Sequence, residues 1–480
     1  MPEEHPVYLW MINYLGPLFI VYFGIINFCY AIFLFIGSLR IFYRRYLIAK
    51  EISPNHINID VLPQLTFVIP TYNEGIKILE KLDNTFALDF PSKEIIVVDD
   101  GSLDNTIEIL KRNYHLIEIP KTYDDKITTQ FVKAIYRSQK HPNLLIISKA
   151  HGEKFDALNA GLNASTSDYT ITTDVDTFIN EKDFSKLIRP LFSDIHAAAV
   201  GVSVGVKNGV FFRSHQEDSQ KSPKSILTGL QAIEYLRAFF IRMGIDGVNA
   251  GFVISGCFAI YPTKLLLDIS GFARTVAEDM EIIIRLQRIL RKKKKPFKIF
   301  YIPDPIVWTE VPETHKKLGK QRANWQKGLM ESFWFHKSLF LNPCYKMAGL
   351  AAYPFGLFFE ILEPIVELLG FITIISGYFL GILNVNYFWL LISFSYGFTF
   401  FMSISCLFIE ELSFDRFSKI KTTISLIFLS LLENMYFRQI ELIWRLKGFI
   451  DFFLSLPSIM KENTQLKKAI KKALKAKIDT

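Results

Sequence analysis

At 480 residues, 50% of them hydrophobic and 44 of them Phe, the chain is too apolar for a wholly water-soluble protein. It is long enough for one large soluble domain beside a lipid-facing region. The net charge of +8 raises the question of nucleic acid, but much of it sits in Arg291–Lys295 and from Lys461 to Lys477, without an aromatic-interleaved basic stripe, so no nucleic acid is expected.

The first apolar stretch, Tyr8 to Gly37, is longer than a signal-peptide core. Glu3 and Glu4 precede it and Arg40, Arg44, Arg45 and Lys50 follow it, which predicts a retained anchor over residues 1–50 with its C-terminal flank in the cytoplasm. A cytoplasmic domain over residues 51–327 is then expected. Cys29, Cys257, Cys344 and Cys406 have neither zinc-ligand nor disulfide-framework spacing and read as packing residues. The runs Leu65–Pro70 and Glu94–Asp99 read as buried parallel strands. Between them Ile76, Leu79, Leu82 and Phe86 fall at helical spacing. Asn143–Ile147, a helix over Phe155–Asn163 and the strand Tyr169–Thr173 continue the alternation. The pattern predicts an open α/β sheet with functional residues at the carboxyl ends of its strands.

Acidic clusters punctuate this domain: Asp99-Asp100, Asp174-x-Asp176 and Glu278-Asp279. Two aspartates at period two beside a strand end point to one face and suit a hard divalent cation, although such a pair alone also reads as a solvated turn. Lys154, at the start of a helix, offers a compact charge for phosphate or, equally simply, a surface lysine. Glu278 and Asp279 open a helix continuing through Ile282, Ile283 and Leu286, where acids also complement the helix dipole.

In chain order, Pro70-Thr-Tyr-Asn-Glu74, Val98-Asp-Asp-Gly-Ser102, Gly152-Glu-Lys-Phe-Asp-Ala-Leu-Asn-Ala-Gly161, Asp174-Val-Asp176, Ala277-Glu-Asp279 and Gln321-Arg-Ala-Asn-Trp325 stand between Leu65 and Trp325. This series resembles the membrane-integrated family 2 glycosyltransferases, inverting GT-A enzymes that include cellulose, chitin, hyaluronan and poly-N-acetylglucosamine synthases. Softer similarity continues through Glu433–Gln439 and Trp444–Gly448. The resemblance implies an α/β GT-A domain plus an α-helical transmembrane region. It also implies a UDP-sugar donor, N-acetylglucosamine or glucose being favoured, with Mg²⁺ or Mn²⁺ as cofactor. The acceptor would be a growing glycan or a lipid, and accessory synthase subunits are further partners. Thr71, Tyr72, Glu74, Asp99 and Asp100 would frame the nucleoside, with Tyr72 as a stacking ring and either aspartate accepting from uracil or ribose. Lys154 and Asp174 would serve the diphosphate, Asp176 with Asp174 the metal. Asp279 would be the base with Glu278 supporting it, and Trp325 with Gln321 the acceptor platform.

Two positions depart from the family pattern. Ala277 replaces a threonine, and Asn324 stands where the signature Q-[QR]-x-R-W has its second arginine, a residue attributed to the donor diphosphate. Asparagine cannot replace a bidentate cation, so Arg322 or Lys327 is expected to take over. Asn324 also gives weight to a non-processive transferase acting on a lipid, and a catalytically silent synthase subunit is a third reading.

Beyond the domain, residues 328–346 read as an amphipathic interface helix and 347–448 as transmembrane and interface helices, with spans near Ala348–Leu383, Tyr387–Phe408 and Thr423–Trp444. Glu360, Glu363 and Glu367 fall within the first and are expected to face protein or an aqueous path. Residues 449–480 read as a basic cytoplasmic tail. The whole implies a multi-pass protein of the cell membrane.

Overall fold

The computed structural model of the chain describes residues 14, 16–50, 63–208, 225–381, 385–414 and 420–475. Glu3 and Glu4 lie outside them. The apolar runs become the centre of one mixed, GT-A-like sheet. β1 (Leu65–Thr71), β2 (Lys93–Asp99), β5 (Leu144–Lys149) and β6 (Tyr169–Thr173) are nearly continuously buried, as strands covered on both faces must be. β1 pairs in parallel with β2 and β6, and β2 with β5. Their carboxyl ends, Thr71, Asp99, Lys149 and Thr173, therefore reach one edge of the sheet.

The remainder of the sheet is partly antiparallel, which the two apolar runs did not foretell. β9 (Phe258–Pro262) runs antiparallel between β6 and β8 (Ala197–Val206). β10 (Lys298–Thr309) lies parallel to β8 and antiparallel to the short β7 (Thr177–Ile179). β3 (Leu116–Ile119) and β4 (Val132–Ser138) complete the order β3-β4-β5-β2-β1-β6-β9-β8-β10-β7.

Four helices cover or flank this sheet in the first half of the domain: α2 (Lys77–Ala87), α3 (Thr106–Tyr114), α4 (Lys154–Ala164) and α5 (Phe184–Ser193), all following α1 (Gly16–Lys50). The buried stripe of α2 is Ile78, Lys81, Leu82 and Thr85. The expected stripe shares only Leu82 with it: Ile76 is exposed, and Leu79 and Phe86 are only partly buried. A lysine thus occupies a core position.

α1 packs along α6 (Ile226–Asp246) and is pinned at its basic end, where Arg40 pairs with Asp246 at 2.8 Å and Arg44 with Asp304 at 3.1 Å. Its Gly16–Tyr46 portion is, among the described residues, the one helix long and apolar enough to cross a membrane. α7 (Glu278–Lys292) and α8 (His315–Phe335) then bring the later motifs to the sheet. The boundary expected between 327 and 328 falls inside α8. Residues Gly328–Phe333 within it are buried.

The C-terminal helices are composite. α9 (Glu363–Phe379) follows short π- and α-helical pieces from Ala348. α10 (Val385–Ile392) and α11 (Phe398–Phe414) are joined by a π-turn, as are α12 (Ile420–Leu432) and α13 (Arg438–Leu454). These insertions divide the expected spans into α-helices of 17 residues or fewer. Within the expected basic tail lies a helix, α14 (Leu456–Lys475), whose Ile459, Leu466, Ile470 and Ala473 are buried where it packs on α7, α8 and α13. Cys344 is exposed, contrary to its reading as a packing residue.

Candidate active site

The site grows from a loop folded around Asp100. Just past β2, this buried carboxylate accepts the backbone N–H groups of Gly152 at 3.0 Å and Glu153 at 2.9 Å. It also pairs with the buried Lys149 and lies 2.9 Å from His151 Nδ1. Lys149 is shared with Asp156 at 2.6 Å. Glu153 adopts φ of +72°, a region that L-residues avoid and that persists only where its surroundings hold it. Asp100 is therefore committed to the loop. Asp99 is also buried, but its carboxylate is held less tightly, by Ser102 N–H and Ser148 Oγ, both at 3.3 Å. Burial pushes its pKa up.

The loop ends at Lys154, the first residue of α4, and aims its ammonium at two other motifs. Nζ is 2.7 Å from Asp174 Oδ1 and 3.3 Å from Glu278 Oε1, and it donates to the Gly256 carbonyl at 3.3 Å. Burial alone would favour the neutral amine, but the Asp174 and Glu278 charges outweigh it and hold Lys154 well above its usual range.

Asp174 and Asp176 lie in the tight turn between β6 and β7, so turn geometry and not strand alternation presents them. Thr177 N–H donates to the Asp174 carbonyl at 3.2 Å, and Asp174 N–H to the Cys257 carbonyl at 3.2 Å. Thr309 of β10 donates to Asp176 Oδ1 at 3.2 Å. Burial, reinforced by the Asp174 charge, pushes the Asp176 carboxyl up to about 6. Among the described residues no three His, Cys, Asp or Glu side chains form a ready metal cluster.

Glu278 and Asp279 occupy the first turn of α7, as expected. Burial raises both. Lys154 opposes it, yet the Asp279 charge adds to the effect on Glu278, whose carboxyl is pushed up to about 7. Asp279 also lies so close to Gly256 that a Cβ there would stand 2.6 Å from its Oδ2. Gly256→Ala is accordingly expected to displace Asp279 and, on the role that the family resemblance implies for that carboxylate, to lower kcat about 10²-fold, the scale of an ångström-level misplacement. Initial rates beside a thermal melt of the same preparation would check this.

The nucleoside-side residues gather at the ends of β1 and β2. Thr71 is buried, Tyr72 is 41% exposed, and the Tyr72 ring centroid is 4.7 Å from that of His151. Glu74 stands near Asp174 and Asp176, its carboxyl raised by burial.

α8 divides the remaining expectations. Arg322 is not in the carboxylate cluster. Its guanidinium is paired with both carboxylate oxygens of Glu234 on α6, at 2.7 and 2.6 Å, and lies 4.2 Å from the Trp325 ring. Lys327 faces Glu331 at 3.8 Å, and Asn324 is exposed. Gln321 Oε1 is buried without a hydrogen-bond partner among the described residues. Arg322 and Trp325 line a cavity of about 540 Å³, whose wall also includes Met280, the neighbour of Asp279, Tyr30 of α1 and the Glu363–Arg445 pair. His151, Lys81, Glu234 and Thr309 were not singled out from sequence. Only His151, which adjoins the glycine-led motif at Gly152, carried any signal.

The glycosyl transferase family 2 profile matches residues 66–266, and that of glycosyl transferase family group 2 matches residues 169–432, more than half of the chain. The chain belongs to the family 2 glycosyltransferases. This glycosyltransferase is 26% identical over 302 residues to a poly-beta-1,6-N-acetyl-D-glucosamine synthase of Staphylococcus aureus, a match covering 62% of each protein, less than two thirds of the relative's length. The synthase of the same name from Staphylococcus epidermidis is 26% identical over 392 residues, covering 78% of this chain and 80% of that one. Among solved structures, the mannosyltransferase PcManGT from Pyrobaculum calidifontis, in complex with GDP-Man and Mn²⁺, is 17% identical. It covers 86% of this chain and 99% of that one at a TM-score of 0.49, too low to add to the assignment.

Proposed function

We propose that this glycosyltransferase is an inverting, metal-dependent enzyme that takes a UDP-sugar and extends a β-linked polysaccharide at the membrane. UDP-N-acetylglucosamine or UDP-glucose is the favoured donor. The observation that carries the reading is Lys154 bridging Asp174 and Glu278, which draws the donor-side and acceptor-side acids onto one cation.

Asp174 and Asp176 would hold the metal. Their oxygen-only donor set would suit a hard divalent cation such as Mg²⁺ or Mn²⁺. Burial, reinforced by the Asp174 charge and opposed by Lys154, raises the Asp176 carboxyl, and a divalent cation would favour its ionised form. Such an ion neutralises charge on the departing diphosphate. Asp99 accepts hydrogen bonds from the base or ribose, since Asp100 is already engaged, and Tyr72 supplies the ring. On the other side, Asp279 takes the proton of the acceptor hydroxyl as that oxygen attacks the anomeric carbon and the nucleoside diphosphate leaves. Glu278 keeps Lys154 in place.

Trp325, on the wall of the cavity, would form the acceptor platform, and the growing chain would leave through that cavity. α1 would span the membrane and the helices from α9 to α13 would embed beside it, with the catalytic domain on the side of Arg40 and Arg44. Because Arg322 is committed to Glu234, it belongs with the acceptor platform. Arg322→Lys should leave KM for the nucleotide sugar unchanged and shorten the product, because lysine cannot reproduce the fork on Glu234. A raised donor KM with unaltered product length would return Arg322 to the diphosphate.

The test is product analysis on the full chain in membranes with a panel of UDP-sugars and Mg²⁺ or Mn²⁺. A glycosidase-sensitive polymer is expected. A single-sugar lipid would favour the non-processive reading, for which exposed Asn324 speaks. No release of UDP from any donor would contradict the proposal and favour the silent-subunit reading.

A further inference from the structure

We infer that Lys81, on the buried face of α2, is a positioning residue for the Asp174–Asp176 pair. This rests on the donor-site reading above and assigns that site a residue from outside every recognised motif. The Lys81 side chain is wholly buried, one of the largest such side chains in the molecule. An isolated ammonium in that position would be strongly disfavoured, so its hydrogen bonds indicate what it serves. Nζ donates to Thr173 Oγ1 at 2.8 Å and to the Thr177 carbonyl at 2.5 Å. These are the residues immediately before and after Asp174-Val175-Asp176. One side chain thus ties together both ends of the turn that presents the two carboxylates.

The other supports described for this turn come from different directions, Cys257 of the neighbouring segment and Thr309 of β10. Lys81 is the brace from the α2 side. The arrangement does not depend on its charge. Burial draws the ammonium down to about 7, but the neutral amine still has the two N–H donors that Thr173 and Thr177 use. The role is that of a residue one step behind the metal ligands, holding the residues that flank them and not the ion. Removal of such supports lowers metal affinity on the order of 10–100-fold.

The test is Mn²⁺ binding by the full chain in detergent, read from the electron paramagnetic resonance of free Mn²⁺, with Lys81→Met, Thr173→Val and Asp176→Asn in parallel. Lys81→Met keeps the volume and removes both donors. Thr173→Val removes one acceptor and leaves the lysine in place. The Mn²⁺ dissociation constant is expected to rise on the order of 10–100-fold in Lys81→Met and less in Thr173→Val. A purely structural lysine would lower the thermal midpoint without moving that constant. Unchanged Mn²⁺ affinity in folded Lys81→Met and Thr173→Val would overturn the inference. If Lys81→Met does not fold, Thr173→Val decides alone by the same criterion. Asp176→Asn separates the two levels: if it binds Mn²⁺ as tightly as the unaltered chain, the metal reading itself fails. If it loses binding while the Lys81 and Thr173 variants keep it, only the role of Lys81 fails.

Discussion

Asp279→Asn is expected to lower kcat for glycosyl transfer on the order of 10²–10⁴-fold, while KM for the nucleotide sugar and the thermal midpoint stay close to those of the unaltered chain. Asparagine fits the same space against Gly256 and can still accept the Met280 N–H, which now reaches Asp279 Oδ1 at 2.9 Å. What it cannot do is take a proton. The sign of the pH effect follows from burial, which raises the Asp279 carboxyl, with Lys154 as the opposing charge. A base must be ionised to act, so kcat/KM should fall as pH drops through a range above that of an ordinary carboxylate. That limb should vanish in Asp279→Asn. Glu278→Gln provides the comparison, because its carboxyl sits at about 7 and contacts the Lys154 ammonium. It should weaken donor-side organisation without abolishing proton transfer. A dead Glu278→Gln beside an active Asp279→Asn would reverse the two roles.

The second large effect is expected of Asp176→Asn, which removes one of two proposed metal ligands and with it several kcal/mol of charge stabilisation, on the order of 10³-fold in rate. Metal competes with protons for this carboxyl. With Asp176 at about 6 in the metal-free protein, Mn²⁺ affinity should be flat above that pH and fall about tenfold per pH unit below it. In Asp176→Asn the affinity should be low throughout and lack that dependence. Titrations of Mn²⁺ at pH 5, 6 and 7 distinguish this from a general acid instability, which would also lower the thermal midpoint.

Legibility from the sequence followed the length scale of each signal. Strands β1, β2 and β5 were visible because each is a short apolar run, β6 because its β-branched run leads into the Asp174 motif, and α4 and α7 because motif and periodicity coincide. β8, β9 and β10 pair with neighbours distant in the chain, and nothing local in Ala197–Val206 or Lys298–Thr309 announces the partner. The site acids were legible as residue types but not in their division of labour. Asp99 and Asp100 are adjacent and chemically alike; only the fold shows that Asp100 is enclosed by Lys149, His151 and two backbone N–H groups. Arg322 followed the same rule. Its motif pointed toward the diphosphate, but the carboxylate that holds it, Glu234, lies 88 residues away on another helix. Lys81 was hidden because a lysine in an amphipathic helix ordinarily marks the solvent face, and here tertiary contacts with Thr173 and Thr177 override that rule.

The most direct measurement is calorimetric titration of UDP into the full chain in detergent, with and without Mn²⁺ and with Asp176→Asn alongside. Binding that requires Mn²⁺ and is lost in Asp176→Asn is expected if Asp174 and Asp176 form the metal-assisted donor site beside Lys154. UDP binding of equal strength without metal, or undiminished by the substitution, would contradict it.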